Sequence, residues 1–245
     1  MTENNLNVNG GVINLQNVGI IVSAFTRLKN KASYLPGLVV VHGPSGYGKT
    51  VAATYAANKF GAYYISCKST WTKKAMLLAI SKEMGIAPAK TMYEMIDQVA
   101  EQLILSGRML IVDEFDYAVD KNMVDCIRDI YQASEASIIL IGEEKLPKKL
   151  EKFERFHNRI LSWIAAQPAS FEDAKKLREY YCDKVEIDDE LLNKVLEVCD
   201  GRIRRICVNL SHIQDIALNN GASEVTLDWW GSKPLFTGSA PVRRL

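Results

Sequence analysis

Apolar residues along the chain fall into two alternating kinds of run. Short runs that are apolar almost throughout occur at Leu38–His42, Ala62–Cys67, Met109–Asp113, Ile138–Ile141 and Leu161–Ala165. Between them lie stretches with helical apolar spacing: Lys49–Phe60, Lys73–Met84, Tyr93–Leu105, Met123–Ala133 and a short one at Leu146–Phe156. The first kind predicts strands covered on both faces, the second amphipathic helices. Their alternation predicts a doubly wound α/β core built on a five-stranded parallel sheet. A lead-in helix is expected at Asn17–Lys29, with Val18, Ile21, Val22, Phe25 and Leu28 on one face, and Pro36-Gly37 closes this segment. After Gln167-Pro168 the pattern turns to helices only, at Phe171–Cys182, Asp189–Val198 and Ile203–Leu218. The expected organisation is therefore a flexible N-terminus over 1–11, an α/β core over 12–168, a small helical domain over 169–230 and a flexible basic tail over 231–245.

The break after the first strand run carries chemistry. Gly43, Pro44, Ser45, Gly46, Tyr47, Gly48, Lys49 and Thr50 spell G-x-x-x-x-G-K-[ST], with a strand before and a helix after. Gly43, Gly46 and Gly48 let the backbone turn its N–H groups toward phosphate oxygens. The helix that starts near Lys49 points its positive end at the same oxygens. Lys49 can reach the β- and γ-phosphates, Thr50 can ligate Mg²⁺, and Val51 completes the nucleotide-binding run. A second motif is MLIVDEFD, Met109–Asp116, where an apolar strand ends in acids. In an open parallel sheet that end borders the ligand crevice. Asp113 can hold Mg²⁺ there and Glu114 can polarise an attacking water. The chain is expected to bind a nucleoside triphosphate.

Composition narrows the rest. With 48% hydrophobic residues, 24% charged residues and a formal net charge of +1, the chain reads as an ordinary globular protein. Any nucleic-acid surface must then be a local patch. CKSTWTKK is the candidate: Lys68, Lys73 and Lys74 have no acid between them, Trp71 lies among them, and the hydroxyls can donate to phosphates. Lys145, Lys148, Lys149 and Lys152 form a second basic patch, read as a subunit or partner surface. The five cysteines, Cys67, Cys126, Cys182, Cys199 and Cys207, include no C-x-x-C pair, so neither a zinc site nor a disulfide framework is expected. The polar, Asn-rich N-terminus has no signal-peptide pattern, and no apolar run is long enough to span a bilayer. A cytoplasmic location, without membrane contact, is the expectation.

The P-loop, the Asp113-Glu114 strand end, the five core strands and the trailing helices together resemble an AAA+ ATPase over roughly residues 12–220. That resemblance implies a P-loop NTPase core with a C-terminal helical lid, ATP and Mg²⁺ as cofactors, hydrolysis to ADP and phosphate, and a site shared between subunits. It also implies three further site elements. Sensor 1, usually a small polar residue ending the fourth core strand, falls on Glu143, between Gly142 and Glu144. The arginine finger ahead of the fifth strand falls on Arg155 or Arg159, with Arg159 nearer the strand. Sensor 2 in the segment DGRIRRI falls on Arg204, with Arg202 and Arg205 as neighbours.

Within that family, the compact core, the GEEKL segment and the RIRRI lid look most like the bacterial and phage transposition ATPases, the phage Mu B and transposon target-selection group. This implies sequence-nonspecific binding of double-stranded DNA, self-assembly into a helical filament or ring, and a transposase partner, with Arg243-Arg244-Leu245 as a docking candidate. The chain has no N-terminal helix-turn-helix of the Mu type, so DNA contact is expected from the ATPase core. A helicase-loader or origin-recognition-type ATPase, and a nucleotide-dependent protein-binding switch without DNA, stay open as alternatives.

Overall fold

The structure is a computed structural model that describes residues 13–239. The expected flexible N-terminus and the end of the basic tail, with Arg243, Arg244 and Leu245, lie outside the described residues. The chain divides into two compact units. One comprises residues 18–44 and 49–166; of the other, residues 13–17, 45–48 and 167–239 are described.

The first unit runs α1 (Gln16–Lys29, all but its first two residues), β1 (Leu38–His42), α2 (Lys49–Phe60), β2 (Tyr63–Ser66), α3 (Lys73–Glu83), α4 (Met92–Ser106), β3 (Leu110–Asp113), α5 (Phe115–Asp120), α6 (Val124–Ser134), β4 (Ile138–Gly142), α7 (Leu146–Leu150), α8 (Glu154–His157) and β5 (Ile160–Ala165). The five strands form one sheet in the order β2-β3-β4-β1-β5, every pair parallel. Leu38, Val39, Val40 and Val41 are fully buried, as are Leu110, Ile111 and Val112, because helices cover both faces. The register sets His42 opposite Gly142 and Val112 opposite Leu140. Parallel pairing thus brings the C-terminal ends of β1, β3 and β4 out along one edge of the sheet, where the order of connections reverses.

Local chemistry fixes the helix ends. Thr72 caps α3 through the Ala75 N–H, and Thr91 with Glu94 forms a reciprocal capping box on α4. Gly107 closes α4 in the left-handed region at φ 62°. The expected helix over Leu146–Phe156 is instead two short ones, α7 and α8. Pro147 suits the first turn of α7. Phe153 then leaves helical geometry (ψ 65°), while Phe156 is buried and stacks on Phe115 at 6.1 Å. α5 carried no sequence expectation, because its apolar residues Phe115, Ala118 and Val119 are too few to establish a period.

The second unit contains α9 (Phe171–Tyr181), β6 (Glu186–Ile187), α10 (Asp189–Val198), α11 (Ile203–Asn219), β7 (Glu224–Val225) and α12 (Leu227–Trp230). The expectation of helices only is corrected here by a two-stranded parallel ladder, β6 with β7. Two-residue strands show no period in sequence. What holds them is burial of the β-branched Ile187 and Val225, at 1% and 0% exposure. Trp230 is 2% exposed in the same core, its indole N–H donating to Lys233 O at 2.9 Å. The Asn209 side chain, fully buried, donates to Phe236 O at 2.9 Å and accepts the Phe236 N–H at 2.7 Å, which holds residue 236 on α11. No helix among the described residues is long and apolar enough to cross a membrane.

Candidate nucleotide site

The loop after β1 has the backbone of a phosphate cradle. Gly43, Gly46 and Gly48 sit at φ 153°, 92° and 79°, a region that side chains disfavour. The Lys49 ammonium folds back on the loop and donates to Gly43 O at 2.6 Å and Pro44 O at 2.9 Å. Burial lowers the Lys49 pKa, while Asp113, Glu114, Glu143 and Asp116 oppose that shift. Thr50 and Val51 are exposed on the first turn of α2. His42, the last residue of β1, has its pKa lowered by burial, with Glu144 opposing and Lys49 reinforcing the shift.

The acids at the end of β3 are individually tied. Asp113 is 2% exposed; one carboxylate oxygen accepts the Tyr64 hydroxyl at 2.8 Å, the other the Glu114 N–H at 2.8 Å. Burial first, and then the Asp113 charge, raise the Tyr64 pKa, so the hydroxyl keeps its proton and donates. Glu114 turns the chain from strand to α5 in the left-handed region, at φ 52° and ψ 40°. Its carboxyl pKa is raised by burial and by the neighbouring Asp113 and Glu143 charges. A half-buried carboxylate held above its ordinary range is a better proton acceptor. Burial, Asp113 and Glu114 likewise push the Cys67 thiol up to about 12.

The loop tip, residues 45–48, belongs to the second unit and is held by that unit's other segments. Asn17 donates to Tyr47 O at 2.8 Å and to Gln167 O at 2.7 Å, and accepts the Gln167 N–H at 2.9 Å. Arg202, the residue before α11, donates from Nη1 to Ser45 O at 2.7 Å. A Cβ on Gly46 would lie 3.4 Å from the Arg202 stem, and one on Gly48 only 2.9 Å from Ile203 Cδ1.

The residues singled out in sequence therefore fall into groups. Gly43, Pro44, Lys49, Thr50, Asp113 and Glu114 all lie at the C-terminal edge of the sheet, and the donor set of one ammonium, one hydroxyl and two carboxylates fits Mg²⁺ and a polyphosphate. Glu143 follows β4 with its side chain exposed. Arg155 is exposed on α8; Arg159 precedes β5 and donates to Arg155 O. Arg204 is exposed on the first turn of α11, while its neighbour Arg202 is the one bonded to the loop tip. Lys68 and Lys74 are exposed and Lys73 is half-buried, whereas Trp71 packs against the core cluster. Sequence reasoning passed over Asn17, Tyr64 and Asp116. Asp116 had a signal, as the last acid of DEFD. Asn17 and Tyr64 had none, since a helix-start amide and a strand tyrosine are each ordinary.

Residues 32–150 match the model of an AAA domain. No curated protein sequence matches the chain. Among solved structures, the chain is similar to the ORC1 protein of Aeropyrum pernix in complex with DNA, at TM-score 0.63 and 15% identity, over 87% of this chain and 62% of that one. It is similar to the RuvB Holliday junction branch migration motor of Thermotoga maritima, at TM-score 0.58 and 17% identity, over 89% and 67%. Domain III of the Thermotoga maritima replication initiation protein DnaA gives TM-score 0.56 and 17% identity, over 89% and 91%. The chain thus spans less than two thirds of the ORC1 structure. The fold is the α/β P-loop fold of the AAA type, with strand order 2-3-4-1-5 and C-terminal helices. An AAA domain implies nucleotide binding.

Proposed function

We propose that this chain is an ATPase that hydrolyses ATP to ADP and phosphate and binds duplex DNA in its ATP-loaded state. The observation that carries the hydrolytic reading is the triplet of Lys49, which starts α2 after β1, and Asp113 and Glu114 at the end of β3, all at the same edge of the sheet, with Glu114 held above its ordinary pKa. Gly43–Gly48 cradle the phosphates and Lys49 exchanges its two loop carbonyls for β- and γ-phosphate oxygens. Thr50 and Asp113 hold Mg²⁺, which neutralises phosphate charge when bound. Glu114 orients and deprotonates the attacking water. Residues 12–168 serve as the nucleotide-binding core and 169–230 as the lid. Arg204 or Arg202 acts from the lid, and Arg159 or Arg155 reaches the nucleotide of a neighbouring copy, for which a planar, permanently charged guanidinium is suited.

The exposed Lys68 and Lys74, with Lys73, supply phosphate contacts for DNA. Among the similar structures, ORC1 is in complex with DNA, RuvB is a Holliday junction branch migration motor and DnaA is a replication initiation protein, which supports the class of partner. Target selection and transposase activation in DNA transposition, through assembly on DNA, is the finer reading, supported by the sequence resemblance alone. The test is a mobility shift of random-sequence duplex DNA with and without a slowly hydrolysed ATP analogue, together with Lys73→Glu/Lys74→Glu. The double variant is expected to lose DNA binding while keeping nucleotide binding. A wild-type chain that shifts no DNA in any nucleotide state would refute the DNA reading. Electron microscopy of the same mixture separates helical filaments, expected for the transposition role, from closed rings, which would count against it.

A further inference from the structure

Beyond the residues just assigned, one buried acid joins two strand ends. Asp116 is 5% exposed on the first turn of α5. Its Oδ2 accepts the Glu143 N–H at 2.6 Å, just past the end of β4. Its Oδ1 lies 3.2 Å from the Lys149 ammonium on α7, which also pairs with Asp120 at 2.9 Å. The last residue of β4 is Gly142, and this glycine is required by space rather than by backbone angle. A Cβ there would lie 2.2 Å from Asp116 Oδ2 and 2.6 Å from Leu146 Cδ2. The carboxylate therefore fills the place into which a side chain at the end of β4 would project.

We propose that Asp116 is a positioning residue for hydrolysis. It locks the end of β4 to the turn that carries Glu114, and thereby sets where the Glu114 carboxylate points. The inference rests on the proposed ATPase reading. Burying a carboxylate is costly unless it is paired and hydrogen-bonded, and Asp116 has both kinds of partner. Glu114 lies two residues earlier, at the strained corner with φ 52° that only its surroundings can hold. Freeing Asp116 leaves that corner joined to β4 by no carboxylate bridge, and the water-activating group loses its fixed bearing. Asp116 bonds to the Glu143 N–H and Lys149 and reaches Lys49 only through its charge, so nucleotide affinity is expected to survive.

The test is a double-mutant cycle at Asp116 and Gly142, read by steady-state ATP hydrolysis with Mg²⁺ and by thermal unfolding of each variant. Asp116→Ala and Gly142→Ser are each expected to lower kcat by about tenfold or more, with KM for ATP held within about threefold, as misplacement of a catalytic group does. Asp116→Asn keeps an acceptor for the Glu143 N–H and should stay within about threefold of wild type. In the double variant the serine enters the space the carboxylate vacated, and kcat is expected to exceed that of either single variant. Wild-type kcat in Asp116→Ala, or losses that simply multiply in the double variant, would overturn the proposal. Should Asp116→Ala fail to fold, Gly142→Ala tests the same lock, since the added carbon collides with Asp116 Oδ2 and displaces it from the Glu143 N–H. It should lower kcat; wild-type kcat in Gly142→Ala would then overturn the proposal. A wild-type chain that hydrolyses no ATP overturns the ATPase reading and this inference together. A hydrolysing wild type matched by Asp116→Ala overturns this inference alone.

Discussion

Asn17→Ala should weaken this protein more than any exposed site residue, although Asn17 performs no chemistry. Its side chain is 4% exposed and makes three hydrogen bonds, at 2.8, 2.7 and 2.9 Å, to Tyr47 O, Gln167 O and Gln167 N. A buried neutral hydrogen bond contributes about 1 kcal/mol net, so losing three costs about 3 kcal/mol. In a chain of this size 1 kcal/mol moves the melting temperature by roughly 2–4 °C, which gives a fall of about 6–12 °C. Asn17→Asp should do no better than alanine. It keeps an acceptor for the Gln167 N–H, but turns a carboxylate oxygen toward two carbonyl oxygens that had received an N–H. Because one of those carbonyls belongs to Tyr47 in the phosphate loop, the stabilisation conferred by Mg²⁺ and ATP should shrink in both variants. The assay is thermal unfolding with and without Mg²⁺ and ATP. A fall of less than about 2 °C in Asn17→Ala, on the same scale, would show that the bonds do not carry the weight assigned to them.

Three other outcomes follow from the same geometry. Glu114→Gln should cut kcat by about 10²–10⁴ while ATP still binds, measured by hydrolysis beside a direct binding titration; comparable losses of both would remove Glu114 from the water-activating role. Gly48→Ala puts a side chain at φ 79°, with Ile203 Cδ1 only 2.9 Å from the new carbon, so it should lose about 1–3 kcal/mol in urea unfolding together with most ATP affinity. Burial pushes the Cys182 thiol up to about 12 from an ordinary 9.0, with Arg178 opposing. The unfolded chain therefore loses that proton first, and the stabilisation is whole below pH 9.0 and drains as pH rises toward 12. The urea midpoint of the wild type should fall across that window more steeply than that of Cys182→Ala, and parallel profiles would refute the assignment.

How far the fold could be read from sequence depended on the length of each signal. Val39, Val40 and Val41 in β1, and Ile138–Ile141 in β4, are continuous apolar runs between glycine or polar breaks, and their burial on both faces is what a covered parallel sheet requires. The ladder of β6 with β7 was invisible because two residues define no alternation, and only tertiary burial of Ile187 and Val225 selects it. The break between α7 and α8 was hidden for a similar reason. Phe153 and Phe156 fit a helical spacing, but the stack of Phe156 on Phe115 belongs to a contact 41 residues apart, across strand β4.

The site divides along the same line. Gly43 to Thr50 and Asp113-Glu114 are contiguous motifs whose residue types state their own chemistry. What could not be read is how the end of β4 is completed, and the reason is steric. By position in the chain, Glu143 falls where the sequence resemblance raised the expectation of a small polar side chain, yet a carboxylate aimed at phosphate would be repelled. Its side chain is in fact exposed, and its contribution to the architecture is the backbone N–H given to Asp116. The polar group that ends this strand thus comes from a different segment, 26 residues before Gly142, and Gly142 is small because Asp116 is already there. Neither residue explains the other along the sequence. Only the pairing of β3 beside β4 turns a glycine and an aspartate into one device.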